Sequence, residues 1–427
     1  MDIITRNAKI DRIHEKCLVI GIDVGSSTHF ARAFDNRGRE YRIGKKVFCF
    51  ENTSEGFERF LKWTLKIREE AGKTEIMIGM EPTGHYWFNL GRYIRDQGFG
   101  MCLVNPAAVK KAKELADNDP SKDDCKDPGI IAGLVKDGNY SIPYMPEGIY
   151  AEIRNLYELR ERVAESLVRN KNWLARWLAI YFPEYLQVYS DPYSISGAAI
   201  LKETPLPEDI LELGIEGICQ IWRKHKMRGI GMKRAKALYE AAQKSIGCHT
   251  GREAARIEIR QLLEDMDRDQ ERIRFLNKEL EERLKEVPNT DKVLRIPGIS
   301  TIIMAGLIAE IGDPSRFTDP KQIQKLAGLA IRTNESGKHI GEKHISYRGR
   351  KRLRGILYRA ALILICKNPE FAQVHAYFTG RTKNPLKKMQ SVIAVGCKAL
   401  RVIYTILTKG VEYDPSRIVC NNVQEAA

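Results

Sequence analysis

The chain has 427 residues and carries 70 Lys and Arg against 55 Asp and Glu, a formal net charge of +15. At roughly 100–200 residues per domain this length predicts two to four domains, which excludes a single small binding module. No stretch has the roughly 18 uninterrupted apolar residues of a membrane span, and the start, MDIITRNAKIDRIHEK, lacks the apolar core of a signal peptide. We therefore expect a cytoplasmic protein that contacts no membrane. Nine scattered cysteines without a CxxC pair argue against disulfides and against a zinc site.

Residues 1–148 predict an α/β domain. Apolar runs at 18–24, 29–34 and 75–80 predict strands, and GFGMCLVNP supplies another. Because these strands alternate with helical segments, we expect a largely parallel sheet. The segment NYSIPYMP carries two prolines and ends this pattern.

Residues 149–290 predict a helical middle region. Apolar residues recur every seven positions over 149–181 and again over 252–287, a spacing typical of an antiparallel coiled coil or of pairing between protomers. Asp269 and Arg283 interrupt the second seam. The inserted segment, about 182–251, contains a Gly-Ile-Gly turn before a helix, as a Pro-Gly-Ile-Ser turn does further on. Such turns favour contacts with a DNA backbone, although a glycine turn between packed helices gives the same letters.

Residues 291–410 predict a mainly α C-terminal domain that holds most of the charge. Between positions 338 and 401 there are fifteen Lys and Arg against two acids, a local excess of +13. Cations at this density indicate an anionic partner, and nucleic acid is the expected one. Residues 411–427 are predicted to be a disordered tail.

Acidic residues follow the predicted strands of the first domain. Asp23 ends the first strand, Glu81 ends the strand at 75–80, and SKDDCKDPGIIAGL offers Asp123, Asp124 and Asp127 before an apolar helix. Carboxylates that converge at strand ends suit Mg²⁺, which prefers oxygen ligands. Singly, each has a structural explanation, since Asp127 before a proline is a good helix N-cap. Together with the basic region they predict a metal site that acts on nucleic acid.

Six motifs in order resemble the DEDD insertion-sequence transposases, which include the Piv-type DNA invertases. They are GIDVGSSTH, MEPTGHYW, VNPAAVKKAKELADNDPSKDDCKD, IPGISTIIMAGLIAEIGDPSRF, LAGLAIRTNESGKH and ISYRGRKRLRGILYRAA. The resemblance covers about 17–182 and 255–405. It implies an RNase H-like, RuvC-like N-terminal domain (1–148), a coiled-coil middle (149–290) and a C-terminal transposase domain (291–410) with a nucleophilic serine.

The resemblance also implies residue roles. Asp23 and Glu81 match the first two acids of the family, and the TDxxDA pattern matches Asp124 and Asp127, with Asp123 as a substitute for Asp124 and Pro128 replacing the usual alanine. All four acids would be catalytic and would ligate Mg²⁺.

The serine of the family falls at Ser336, and Ser346 is the second candidate. Ile331 stands where the family usually has proline. The chemistry implied is transesterification, in which Ser336 attacks a DNA phosphodiester and forms a phosphoserine link. The cations expected to hold nucleic acid are Lys338, Lys343, Arg348, Arg350, Lys351, Arg352, Arg354, Lys387 and Lys388.

The partners implied are double-stranded donor and target DNA, a structured guide RNA encoded by the element, and further copies of the chain in a dimer or tetramer. This would be a prokaryotic protein associated with the nucleoid. Three alternatives stay open: a junction endonuclease that uses metal-activated water, a catalytically inert nucleic-acid-binding protein, and a sugar kinase or actin-like ATPase, since GIDVGSST resembles a phosphate-binding turn. The last would need a second glycine-rich phosphate turn, which the sequence lacks.

Overall fold

The computed structural model describes residues 5–82, 84–117, 125–227, 231–332, 335–336, 339–340 and 344–418, with only the backbone of 116–117, 335–336 and 339–340. The chain forms two compact units, Met1–Met145 and Pro146–Ala427. The boundary falls inside the proline-containing segment NYSIPYMP. The predicted helical middle and C-terminal region lie together in the second unit.

The first unit is an α/β layer built on one sheet. Its elements are α1 Arg6–Asp11, β1 Cys17–Val24, β2 Thr28–Phe34, β3 Glu40–Tyr41, β4 Phe48–Glu51, α2 Ser54–Glu70, β5 Glu75–Met80, α3 Trp87–Asp96, β6 Gly100–Val104, α4 Pro106–Asp117, α5 Asp127–Lys136 and β7 Tyr140–Ser141.

The sheet has the strand order β3-β2-β1-β5-β6-β7, with β4 beside β2. Only the β1–β5 and β5–β6 pairs are parallel, while the other four pairs are antiparallel. The expectation of a largely parallel sheet is therefore wrong. Only three residues connect β1 to β2, and a parallel crossover needs a dozen or more, so β2 can only return antiparallel. The alternating burial along β2 fits this position, whereas β1, at the centre, is buried almost throughout.

The second unit is mainly helical. Its helices are α6 Gly148–Tyr181, α7 Tyr185–Val188, α8 Ile195–Glu203, α9 Pro207–Lys224, α10 Met232–Gln243, α11 Arg252–Leu284, α12 Thr290–Leu294, α13 Thr301–Ile311, α14 Pro320–Leu326, α15 Lys351–Lys367, α16 Pro369–Gly380 and α17 Lys388–Lys409. Its short strands are β8 Ile331–Arg332, β9 Glu335–Ser336, β10 His339–Ile340 and β11 His344–Ile345.

The two longest helices, α6 and α11, pack against each other in opposite directions. Trp177 near the end of α6 donates a hydrogen bond to the carbonyl of Ala255 near the start of α11, at 3.0 Å. Further along the pair, Asn170 donates to the buried carboxylate of Asp269 at 3.3 Å. The polar residue that interrupts the apolar seam is thus bonded across the pair, which limits the cost of its burial.

Two apolar cores lie at opposite ends of this helix pair. One buries Ile153 and Tyr157 of α6 with the helices α13, α15 and α17. The other buries Leu174 and Trp177 of α6 with the inserted helices α7 to α10. By length and composition α17 could cross a membrane, but half of its apolar stretch is buried in the first core.

The predicted tail differs from the structure in its first part. Residues 411–418 pack on the second unit: Lys398 donates to the carbonyl of Ile418 at 2.7 Å, Ile418 is buried, and Glu412 pairs with Arg295 at 3.1 Å. An apolar anchor and an ion pair hold this part of the chain. The remainder of the predicted tail, 419–427, lies outside the described residues.

Candidate active site and nucleic-acid interface

Two of the predicted acids stand side by side at one edge of the sheet. Strands β1 and β5 are parallel, with Ile22 opposite Met80, so the next residues along the two strands are Asp23 and Glu81. Both side chains are partly buried. Neighbouring strands lie about 4.8 Å apart, so this register sets the two residues side by side on adjacent strands. Burial, the largest cause, raises the pKa of Glu81, and the charge of Asp127 adds to the effect while Lys113 opposes it.

Helix α5 brings the third acid to the same strand. Asp127 is the first residue of α5 and is only 5% exposed. The first turn of α5 lies directly on β1 at Gly21, where an added Cβ would meet the carbonyl oxygen of Pro128 at 1.9 Å. A side chain at position 21 would therefore push the start of the helix away. Gly21 was not among the residues predicted to build the site, although a glycine inside a buried strand often marks such a close approach.

A lysine that the sequence prediction missed completes this group. Lys113 of α4 donates to the Asp127 carboxylate at 2.5 Å, with 27% of the lysine side chain and 7% of the aspartate side chain exposed. A buried carboxylate is costly without a counter-charge, and Lys113 supplies one. The available signal was the lysine spacing in the amphipathic helix VKKAKEL, which precedes the acids in the chain.

The carboxylate oxygens of Asp23, Glu81 and Asp127 are the donors that a hard divalent ion prefers. Within the described ranges, however, no three His, Cys, Asp or Glu side chains are grouped closely enough to hold a metal ion. The fourth predicted ligand, Asp124, and its substitute Asp123 lie outside those ranges. The described part of the site thus pairs acids of suitable chemistry with a lysine cation.

The predicted serine lies in the second unit, on a short antiparallel arm. Strand β8 pairs with β11, and further along the chain β9 pairs with β10, with Ser336 opposite His339. Only the backbone of Ser336 is described. The alternative, Ser346, is partly buried, and its hydroxyl donates to the carbonyl of Gly328 at 3.2 Å. The hydroxyl of Ser346 is therefore engaged inside the fold.

The predicted cations divide into outward and inward groups. Arg350 is directed inward, since its guanidinium contacts the backbone carbonyl of Glu310 and lies 3.5 Å from the carboxylate of the same residue. Burial, the largest cause, lowers the pKa of Arg350. Arg354 donates to the carbonyls of Ala327 and Tyr347 at 2.9 and 3.3 Å. Both side chains hold the turn that precedes α15.

The remaining described cations of this set face outward. They are Arg348, Lys351, Arg352, Lys387 and Lys388. Arg352 also makes a long contact of 3.9 Å with Glu158 of α6. Lys338 and Lys343 lie outside the described residues. Exposed cations at the starts of α15 and α17 have a charge that suits phosphate oxygens, and contacts of that kind contribute affinity without reading sequence.

Comparison with known proteins gives matches in both units. Residues 20–183 match a model of the DEDD transposases of the IS110 type, described as transposase, and residues 290–376 match the IS116/IS110/IS902 transposase family. The chain is 23% identical over 389 residues to the uncharacterized 44.8 kDa protein of insertion element IS116 from Streptomyces clavuligerus, which covers 91% of this chain and 94% of that protein. It is also similar to the uncharacterized 42 kDa protein of element IS900 from Mycobacterium paratuberculosis. The two are 24% identical over 298 residues, which are 69% of this chain and 73% of that protein. A shorter match, 33% identical over 122 residues, is to the pilin gene-inverting protein of Moraxella bovis and covers 28% of this chain and 37% of that protein.

Proposed function

The chain belongs to the IS110/IS116 family of insertion-sequence transposases, and from this premise we propose that it cleaves and rejoins DNA through a serine-linked phosphodiester. Membership makes it a transposase that acts on DNA, with an RNase H-like first domain of a family that generally depends on a divalent metal. The similarity to a pilin gene-inverting protein supports site-specific recombination. Membership in a transposase family also argues against the sugar-kinase alternative.

One observation carries the proposal for the first unit. The β1–β5 register sets Asp23 beside Glu81, and the close approach of α5 at Gly21 brings Asp127 to the same strand. A divalent ion, for which we choose Mg²⁺, would be held by Asp23, Glu81, Asp124 and Asp127 and would offset charge on the phosphate and on the departing 3′ oxygen. The acids would position the divalent ion, while Lys113 offsets the negative charge of the buried Asp127 carboxylate.

The serine performs the covalent step. The hydroxyl oxygen of Ser336 attacks the scissile phosphorus, so a P–O(Ser) bond forms and the P–O3′ bond breaks, and the serine proton leaves as the 3′ oxygen becomes a hydroxyl. Attack by a second 3′ hydroxyl on the phosphoserine reverses these changes and rejoins a strand without ATP. The choice of Ser336 over Ser346 is supported by the hydrogen bond that engages Ser346 with Gly328.

The outward cations of the second unit hold the DNA. Arg348, Lys351 and Arg352 lie next to the arm that carries Ser336 and would bind backbone phosphates on either side of the cleaved bond. The proposal also includes a structured guide RNA and a dimer or tetramer in which the α6–α11 pair forms a coiled coil. Recombination exchanges strands of two duplexes, and more than one copy of the chain suits that task.

The test is covalent trapping. Purified protein is incubated with Mg²⁺ and labelled DNA that carries the ends of the element, with and without transcripts of the neighbouring non-coding DNA, and denatured before electrophoresis. We expect a labelled protein–DNA adduct with the unaltered protein, none with Ser336→Ala, and a normal amount with the control Ser346→Ala. Loss of the adduct in Ser346→Ala alone would move the nucleophile to Ser346.

A second variant separates chemistry from folding. Asp23→Asn should abolish the adduct while its thermal midpoint and its affinity for duplex DNA stay close to those of the unaltered protein. Cleaved DNA without any adduct, in both the unaltered protein and Ser336→Ala, would instead identify a nuclease that uses water.

A further inference from the structure

The inserted segment between α6 and α11 has no role in the proposed chemistry. Its helices, α7 to α10, lie outside both family matches, which cover 20–183 and 290–376. It nevertheless has a core of its own: Trp222 is buried and donates to the carbonyl of Ser196 at 3.2 Å, and Tyr185 donates to the carbonyl of Gly197 at 2.8 Å. A segment folded this well can present a fixed surface.

The charge of this segment is sharply divided. Positions 182–222 hold seven acids and one lysine, whereas positions 223–244 hold eight Lys and Arg and a single acid, Glu240. Acids of the first stretch form ion pairs within the fold. Asp209 pairs with Arg256 of α11 at 2.6 Å, and Glu208 pairs with Arg252 of α11 at 2.6 Å. The basic part begins in the last turn of α9, at the other end of that helix from Glu208 and Asp209.

The basic part comprises the end of α9 and helix α10, with the connection between them. The two helices meet where the sulfur of Cys219 lies 3.7 Å from the sulfur of Met232. Four cations at this end are exposed and have no carboxylate within 4 Å among the described residues; we call them the hairpin face, and they are Arg223, Lys226, Lys233 and Lys236. Residues 228–230 lie outside the described part of the chain, and the face is defined without them.

The positions of these cations argue for a function. Arg223 lies in the last turn of α9, where a cation interacts favourably with the helix dipole. Lys233 lies in the first turn of α10, where a cation is unfavourable and where no acid compensates. The helix dipole therefore disfavours Lys233, and a residue that breaks a local rule is expected at a functional site.

The same face lacks the features that bind single strands. Along the described parts of α9 and α10, the aromatic side chains of Phe, Tyr or Trp type are Trp222, which is buried, and Tyr239, which is half-buried. Unpaired bases need exposed aromatic rings on which to stack. Cations without such rings fit the continuous backbone of a duplex.

We propose that the hairpin face binds the phosphate backbone of a DNA duplex, as a second cationic surface distinct from the starts of α15 and α17. The proposal uses only the DNA-binding part of the proposed function and is independent of Ser336. It assigns the inserted segment to holding DNA outside the cleaved bond.

The test neutralises the face and follows the salt dependence of binding. A variant that carries Arg223→Gln, Lys226→Gln, Lys233→Gln and Lys236→Gln is titrated onto a fluorescein-labelled DNA duplex at several KCl concentrations. Each lost phosphate contact lowers the slope of log affinity against log salt by about 0.9, so we expect a decrease of about 2–4 and a Kd at least about tenfold higher near physiological salt. The matched control removes four exposed cations of α11 and carries Arg260→Gln, Arg268→Gln, Arg274→Gln and Lys278→Gln.

Each result decides the proposal. An unchanged slope, or equal loss in both variants, would overturn it, and so would a loss confined to a labelled structured RNA of the same length. Misfolding is detected by thermal melting, where the hairpin variant should keep the thermal midpoint of the unaltered protein because all four substituted side chains are exposed. The Ser336→Ala protein should keep the full salt slope, which separates a failure of this proposal from a failure of the serine chemistry.

Discussion

We expect the ion pair between Lys113 and Asp127 to stabilise the first unit and to weaken its binding of a metal ion. Replacing Lys113 with methionine keeps much of the side-chain volume and removes the charge. The Asp127 carboxylate, only 5% exposed, is then left without its lysine partner. Its burial is enforced by α5, whose first turn lies directly on β1 at Gly21.

The size of the effect follows from the burial of both partners. Removing one member of a fully buried pair costs about 3–5 kcal/mol, and an exposed pair contributes about 0–1 kcal/mol. With 27% of Lys113 and 7% of Asp127 exposed, we expect a loss near the lower buried limit, about 2–3 kcal/mol. For a unit of this size that corresponds to a decrease of about 5–10 °C in Tm.

The assay is differential scanning calorimetry with and without MgCl₂. The uncharged methionine side chain cannot compete for the carboxylates, so Mg²⁺ should raise the Tm of the Lys113→Met protein more than that of the unaltered protein. Lys110→Met, an exposed position on the same helix, is the control and should leave Tm within about 1–2 °C. Melting of Lys113→Met at the temperature of the control, or an equal Mg²⁺ shift in Lys113→Met and the unaltered protein, would refute this role of Lys113.

The other predictions concern Arg350 and His29. Arg350→Gln should lower Tm by an amount equivalent to about 2–3 kcal/mol, because it leaves the Glu310 carboxylate unpaired, with little change in the salt slope of DNA binding. The exposed Arg352→Gln should do the reverse, reducing the slope by about 0.9, and equal behaviour of the two variants in melting and DNA titration would contradict the assignment. His29 is fully buried between Phe50 and Phe57, and burial lowers its pKa below the ordinary value of 6.5. The unfolded chain thus binds a proton more readily, so stability present above about pH 6.5 is lost as pH falls, and His29→Phe should flatten the dependence of Tm on pH between about 7 and 5. A parallel decrease in both proteins would show that other groups cause the loss.

Much of the secondary structure could be predicted from local sequence patterns. The strand predicted at 75–80 matches β5, and the heptad spacing over 149–181 matches α6 to within one residue, since both depend on a period that neighbouring residues set. The expectation of a largely parallel sheet was wrong because β1 and β2 are joined by three residues and not by a helix. That connection alone required an antiparallel return.

The site was harder to predict because its geometry depends on contacts distant in sequence. Asp23 and Glu81 could be identified as strand ends, but their adjacency depends on which strands pair and in which register. Lys113 became visible only when α4 and α5 were brought together. Arg350 and Arg352 look alike in a basic run, and only packing directs the first inward to Glu310 and leaves the second outside.

The α6–α11 pair also sets a distance. Glu158 of α6 lies near Arg352 of the basic helix, and Trp177 of α6 lies in the core of the inserted segment. Nineteen residues separate these two positions, which is about 28 Å along a helix, close to the roughly 34 Å of one turn of B-form DNA. The helix pair therefore separates the basic helix from the inserted segment by a fixed length. If both cationic surfaces bind one duplex, as proposed, one more heptad in each helix would move the second contact by about 10 Å, or roughly three base pairs, whatever side chains the pair exposes.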